Sequence, residues 1–346
     1  MEQIKVLAVC GAQGAMFHSL LHTKKKIFQF LGNVEPRAVF HTKLEEQWNL
    51  NFCGYPFVRS LEELKDPKPD VIVGSPSCGH SSAFSYSRKK KLGNPKEDPC
   101  LTLFVQSVLT LKPKVFFMEN LPKLLELIPL DEWKKSLSNY RFVVHTHSVM
   151  TFGNSQKSRK RLLLIGIRKD MKWKIDQILS KIDTPDTYQP MLVKDLEKLV
   201  IENRNHKEAL DKKLAMYQYW DKSKRTLTVY EVQKLWTGKF KKEYKWPMIG
   251  TKMNTLPGVY RNRPDAYPMT LRPSNRQFNP DGWPMGLDEF RVIMGFPASY
   301  KVYYDPQNPT YWLNKGRNAL AKGSVYEMGL WVKRVLKKCY KILISK

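Results

Sequence analysis

Val71-Ile72-Val73-Gly74-Ser75-Pro76-Ser77-Cys78-Gly79-His80-Ser81-Ser82 is an apolar run that breaks into a turn of small and polar residues. Consecutive β-branched side chains fit a buried strand, and Gly, Ser and Pro end it. A strand that stops in a turn carrying one cysteine is a good mount for a nucleophile. The strand fixes the backbone and the turn lifts the sulfur out of the core. Further on, Val115-Phe116-Phe117-Met118 ends in Glu119-Asn120. A carboxyl at the end of a neighbouring strand would face that sulfur.

Outward from this pair the first half alternates strand-like and helix-like segments. Ile4 to Val9 is a compact apolar run that ends in Gly11-Ala12-Gln13-Gly14. Phe17 to Leu31 carries helical spacing, and Val34 and Ala38 to Phe40 flank the acid Glu35. Phe142 to His147 and Leu162 to Ile167 read as strands, and Thr102 to Leu111 as a helix. The alternation predicts an α/β fold: a doubly wound, mostly parallel sheet with helices on both faces. Ligands of such sheets bind at the carboxyl ends of the strands, where each of these motifs lies.

From about Met171 the texture changes. Lys, Trp and Tyr interleave, as in Tyr217-Gln218-Tyr219-Trp220, Trp236 to Phe240 and Tyr244-Lys245-Trp246. Pro and Asn become frequent from Asn254 to Trp283, and Leu287 to Met294 and Val325 to Leu336 regain helical spacing. Three parts are expected: a catalytic and cofactor-binding domain over 1–170, an irregular domain over 171–284, and a segment over 285–346 that returns to the first.

The chain has 346 residues, long enough for more than one core. Its formal charge is +27, from 59 basic and 32 acidic side chains. So large an excess points to a polyanionic partner, and nucleic acid before others. The plainer alternative is a lysine-rich solubilising surface. Five cysteines, none spaced as a zinc site, fit a reducing compartment and predict no metal. The apolar start reads as a buried strand and not a signal peptide, and no segment is long and apolar enough for a membrane span.

Each motif has its chemistry. Glycines after the first strand let backbone approach a nucleotide, and Glu35, 21 residues after Gly14, suits ribose hydroxyls. The Cys78 thiolate would be favoured by nearby cations, available in Arg88-Lys89-Lys90-Lys91, Arg159 and Arg161. Cys10, Cys53, Cys100 and Cys339 read as small buried hydrophobes. Burial of Glu119 would let it hold a proton near neutrality, and the Asn120 amide would orient a partner. Arg159 and Arg161 alternate, so an extended segment would place both guanidinium forks on one face, suited to a base carbonyl and a phosphate.

Taken in order, the Gly-rich turn, Glu35, the Pro-x-Cys turn, Glu119-Asn120 and Arg159-x-Arg161 resemble the DNA cytosine carbon-5 methyltransferase family. Leu287 to Pro297, which ends Gly295-Phe296-Pro297, and Ala321-Lys322-Gly323-Ser324-Val325 resemble its late motifs. Departures are visible. Ser77 and Gly79 flank Cys78 where the family has Pro and Gln, and Val9 and Gln13 replace an aromatic and a glycine in the first turn. Gln156 is displaced by one residue from the family's Gln-x-Arg-x-Arg, and Lys322 and Gly323 stand for Gly and Asn.

The resemblance implies a Rossmann-like methyltransferase that takes S-adenosylmethionine and acts on double-stranded DNA as a monomer in the cytoplasm. Cys78 would add to carbon 6 of a flipped cytosine, Glu119 would steady ring nitrogen 3, Arg161 would bind the ring carbonyl, and Arg159 a phosphate or the loop near Cys78. The implied cofactor set is Val9, Gly11, Ala12, Gly14, Glu35, Ser75, Pro76, Ser324 and Val325. The implied substrate set is Ser81, Ser82, Arg88, Lys89 and Asn120, with the loop from Gly79 to Pro99 as a lid. The irregular region would recognise the target. Four alternatives stay open: the same chemistry on RNA, an amino-methyltransferase, an inactive DNA-binding relative, and a different one-carbon donor. The Ser-Pro-Ser-Cys turn lacks the aromatic that an amino-methyltransferase places at its fourth position.

Overall fold

The computed structural model describes residues 2–11, 14–21, 26–36, 42–77, 95–156, 159–172, 174–182, 191, 195–196, 219–220, 226–227, 259–261, 271, 276–278, 287–302, 316, 320–321 and 323–345. Two compact units emerge. The first comprises Met1–Gly153, Lys160–Tyr188 and Gly323–Lys346; the second comprises Asn154–Arg159 and Gln189–Lys322.

The first unit is built on a seven-stranded sheet in the order β3-β2-β1-β4-β5-β7-β6. Its strands are β1 (Ile4–Val9), β2 (Phe28–Val34), β3 (Phe57–Val58), β4 (Val71–Gly74), β5 (Val115–Asn120), β6 (Tyr140–Ser148) and β7 (Lys160–Arg168). β1 pairs in parallel with β2 and β4, as do β2 with β3 and β4 with β5; β7 runs antiparallel to both β5 and β6. A single reversed strand in a parallel sheet meets the expectation of a doubly wound, mostly parallel α/β fold. β4 and β5 are buried along their whole length, as continuous apolar runs in a covered sheet should be.

Helix α1 (Ala15–Leu21) follows β1 and α2 (Thr42–Phe52) follows β2. α3 (Pro99–Leu111) starts at Asp98, whose Oδ1 accepts from the backbone N–H groups of Cys100 at 3.0 Å and Leu101 at 3.1 Å. A carboxylate cap followed by proline at the first helical position is a strong start signal. Short helices α4 (Lys123–Leu127) and α5 (Leu130–Ser136) link β5 to β6, and α6 (Lys174–Ile182) follows β7. α7 (Leu287–Ile293) belongs to the second unit; α8 (Tyr326–Lys338) and α9 (Tyr340–Ile344) return to the first.

Two sequence readings are corrected. Cys53, read as a small buried hydrophobe, is exposed. The helical spacing over Phe17 to Leu31 merges two elements, because α1 stops at Leu21 and Phe28 begins β2. The Lys24-Lys25-Lys26 run separates them, and Phe28-Gln29-Phe30 alternates as a strand does. The strand candidate Ala38 to Phe40 and the aromatic stretches Trp236 to Phe240 and Tyr244 to Trp246 lie outside the described residues.

Two close approaches set the packing. Phe116 on β5 pairs with Gly166 on β7, and a Cβ at Gly166 would lie 2.0 Å from the Phe116 ring. Gly329 on α8 lies against α1, where a Cβ would come within 2.8 Å of Met16 Cα and 3.0 Å of Ala15 O. The absent side chain lets α8 sit directly on α1. Its preceding residues, Gly323 and Ser324, are thereby brought to the end of the sheet. Among the described residues no helix is long and apolar enough to cross a membrane.

Two outcomes test this packing. Gly329→Ala should lower unfolding free energy by about 1–3 kcal/mol, the usual cost of overpacking, read from the denaturant midpoint; an unchanged midpoint would contradict the α1–α8 approach. Burial also pushes the Cys339 thiol from 9.0 up to about 11, against the opposing pull of Lys181 and Lys338. A raised acid favours the fold below its unfolded pKa and loses that contribution as pH rises through the folded one. Stability should therefore fall between pH 9 and about 11, and less steeply in Cys339→Ala, measured by denaturation across that range.

Candidate active site

The carboxyl edge of the sheet gathers the candidate residues of the first unit. β5 ends in Glu119 and Asn120, whose side chains point to opposite faces. In the antiparallel register Glu119 stands opposite Leu163, so Arg161 is its diagonal neighbour on the same face. The two meet: Arg161 Nε lies 2.8 Å from Glu119 Oε1, with both side chains buried. Glu119 Oε2 accepts from the hydroxyls of Ser75, just past β4, and Ser324, the latter at 2.9 Å. Glu119 is thus an acceptor on both oxygens, held by groups from three separate parts of the chain.

On the other face, Asn120 Nδ2 donates to Pro76 O at 3.2 Å and its Oδ1 accepts from Leu121 N at 2.8 Å. The amide read as a partner-orienting group thus also pins the chain after β4 at Pro76. Cys78, Ser81, Ser82, Arg88 and Lys89 lie outside the described residues, as do Ala12, Gln13 and Lys322 and most of the expected lid.

Beside the acid, a small cavity is lined by Gly11, Gly14, Met16, Phe17, Ser75 and Ser324 among others. Gly14 turns at φ 68°, donates to Gly11 O at 2.7 Å, and packs so closely on Phe52 that a Cβ would sit 2.5 Å from that ring. Gly11 N donates to Asn33 Oδ1 at 3.1 Å. The Asn33 Nδ2 donor is buried with no hydrogen-bond partner among the described residues. Bare glycine backbone, an apolar wall from Met16 and Phe17 and the two hydroxyls suit a ligand with an apolar face and a polar tail. Val9, Glu35, Pro76 and Val325 are buried around this edge.

Spacing in the sequence gives no sign of one cluster. Cys10, Glu35 and Cys100 bring their sulfur and carboxylate atoms within 4.8 Å of one another, all buried. Cys10 holds a left-handed backbone at φ 54°, and its thiol donates to Cys100 O at 3.3 Å. The Glu35 carboxylate therefore lies near two sulfurs.

Arg159 differs from its expected placement. It precedes β7 and belongs to the second unit, where its guanidinium donates to Leu271 O at 3.2 Å and Ala321 O at 3.0 Å. The expected shared face with Arg161 is replaced by a buried staple. Neighbours share that role: Asn154 Nδ2 donates to Ile293 O at 2.9 Å, Ser155 Oγ accepts from Met191 N at 2.8 Å, and Gln156 Oε1 accepts from Leu271 N at 2.9 Å. Nothing local in the sequence marks this role, because the carbonyls arrive from more than a hundred residues away.

Comparison with known proteins adds to this geometry. A model of the C-5 cytosine-specific DNA methylase family matches residues 49–312. No curated protein sequence matches the chain. Among solved structures it is similar to an E. coli prophage-encoded DNA modification methyltransferase, at TM-score 0.65 and 16% identity over 97% of this chain and 99% of that one. It is similar to the methyltransferase EhMeth of Entamoeba histolytica at TM-score 0.62 and 12% identity, and to the Dnmt2 methyltransferase of S. pombe at 0.61 and 11%, each over 97% of this chain and 99% of the other. At these identities the likeness is one of fold.

The Glu119–Arg161 pair is open to direct test. Arg161→Met leaves a buried carboxylate with hydroxyl partners only, and removal of one member of a buried pair typically costs about 3–5 kcal/mol. Denaturant unfolding should show a loss of that order, recovered in large part by Arg161→Met combined with Glu119→Gln. Additive losses would mean that the pair does not couple.

Proposed function

The chain belongs to the C-5 cytosine-specific DNA methylase family and is a DNA (cytosine-5-)-methyltransferase; from that premise we propose how its residues carry out the reaction. The donor would be S-adenosylmethionine, and the residues to hold it would be Val9, Gly11, Ala12, Gly14, Glu35, Ser75, Pro76, Ser324 and Val325. When bound, it supplies a methyl group made electrophilic by a sulfonium.

Cys78 adds its sulfur to carbon 6 of the target cytosine, which makes carbon 5 electron-rich. Carbon 5 would then take the methyl group as the donor's carbon–sulfur bond breaks and a neutral thioether leaves; loss of the carbon-5 proton to solvent would re-form the ring double bond and expel the Cys78 sulfur as thiolate. Glu119 steadies the opposite edge of the ring at nitrogen 3, and Arg161 holds the Glu119 carboxylate in place and faces the ring carbonyl. Asn120 is a positioning residue, because it ties the Pro76 carbonyl of the turn that leads into Cys78. A stacked base is out of reach of this edge, so the cytosine must leave the duplex. Ser81, Ser82, Arg88 and Lys89, in the segment after Cys78, would cover it. The second unit would read the target sequence; Arg159 serves there as a staple for backbone carbonyls. The net charge of +27 supports binding of the phosphate backbone.

The observation that carries this reading is the Glu119 carboxylate at the tip of β5, held by three donors while Asn120 anchors the turn into Cys78. Cys78→Ala should abolish methylation of duplex DNA and leave binding intact. A duplex with 5-fluorocytosine at the target should form an adduct that survives denaturation with the native protein and not with the variant. Methylation by Cys78→Ala would refute the nucleophile. Parallel RNA substrates would show whether the polymer is DNA. DNA affinity should fall steeply with salt, and a flat response would remove phosphate contacts from the account.

A further inference from the structure

We propose that Cys10, Cys100 and Glu35 form a site for a thiophilic divalent cation such as Zn²⁺. The three residues lie in the first unit, and the site needs no methyl donor to form.

Three separate elements supply the ligands. Cys10 directly follows β1, Glu35 directly follows β2, and Cys100 is the second residue of α3. All three are buried. Their backbones are already fixed: Cys10 N donates to Val34 O at 2.8 Å, Glu35 N to Val58 O at 2.8 Å, and Cys100 N to Asp98 Oδ1 at 3.0 Å. A site whose ligands are held by sheet and helix is built before its ion arrives.

The two sulfurs and a carboxylate oxygen lie within 4.8 Å of one another. Two sulfurs on a tetrahedral zinc are about 3.8 Å apart, given metal–sulfur bonds of about 2.3 Å. Closure of at most ~1 Å, by side-chain rotation, would bring them into the coordination sphere. A disulfide would have no use for the carboxylate, whereas a cation uses all three groups. Two sulfurs exclude Mg²⁺ and Ca²⁺, which take oxygen, and favour Zn²⁺ and its soft neighbours.

On binding, two metal–sulfur bonds and one metal–oxygen bond form, and any proton that the thiols carry leaves to solvent. The Cys10 thiol gives up its contact with Cys100 O. The fourth tetrahedral position is left to water. Glu35 also stands among the residues proposed to hold the methyl donor; a carboxylate has two oxygens, and the cation needs one. The ion would tie the ends of β1 and β2 to the start of α3.

Cobalt(II) titration of the reduced full-length chain, without methyl donor, tests this. One ion per chain should give visible bands of tetrahedral strength and a near-ultraviolet charge-transfer band of two-thiolate intensity. Zn²⁺ should abolish both, and excess Mg²⁺ should not. Cys10→Ala and Cys100→Ala should each halve the charge-transfer intensity and weaken binding by more than about 10- to 100-fold, the loss typical of removing even an outer-shell partner. Glu35→Gln should weaken binding and keep the two-thiolate intensity. Cys53→Ala and Cys78→Ala should leave the spectrum as it is. Should Cys10→Ala not fold, Cys100→Ala and Glu35→Gln decide the matter. A native chain with no charge-transfer band, a full band in Cys100→Ala, or loss of the band in Cys78→Ala would overturn the site and leave the methyl-donor reading intact.

Discussion

A carboxylate buried at a strand end is expensive to desolvate unless donors surround it, and this one requirement shapes the reactive edge of the molecule. Glu119 receives Arg161 from the adjacent antiparallel strand, Ser75 from the turn after β4 and Ser324 from the segment before α8. No two of these are close in sequence. Satisfying the acid therefore requires the sheet register, the β4 turn and the return of the C-terminal helix all at once. The close seat of α8 on α1 at Gly329 is part of the same arrangement, because it brings Ser324 to the acid.

Much of the fold is legible in the residues. β1, β4 and β5 read clearly because each is a short apolar run closed by Gly, Pro or Asn, and α3 reads because of its spacing. β2 is hidden because Phe28-Gln29-Phe30-Leu31 continues an upstream helical rhythm for a few positions, and periodicity cannot place a boundary inside an unbroken pattern. The site divides in the same way. Glu119 and the Cys78 turn are marked by their positions after apolar runs. The contacts that define what Glu119 does are not. A diagonal ion pair depends on strand direction, and the Ser324 contact spans 205 residues.

Arg159 shows the opposite failure. Alternation with Arg161 is a correct statement about an extended chain, but β7 begins at Lys160, so the rule stops applying one residue too early. The side chain then answers to a different demand: unpaired carbonyls inside the second unit need donors, and a guanidinium with five N–H groups is well suited to supply them. A motif match identifies residue types and leaves open which of several unmet polar groups each will serve.

The direction of β7 has a consequence for how such proteins diversify. Parallel strands bring only their last residues to the ligand edge, whereas one reversed strand brings its first. Arg161 accordingly stands next to Lys160, where the chain re-enters the first unit, and the other passages, after Gly153 and Tyr188 and before Gly323, all fall outside the strands. Segments joined at such seams can lengthen, shorten or be swapped without shifting a single rung of the ladder. The strand pairing that joins Glu119 to Arg161 is thereby insulated from change in the segments between the seams.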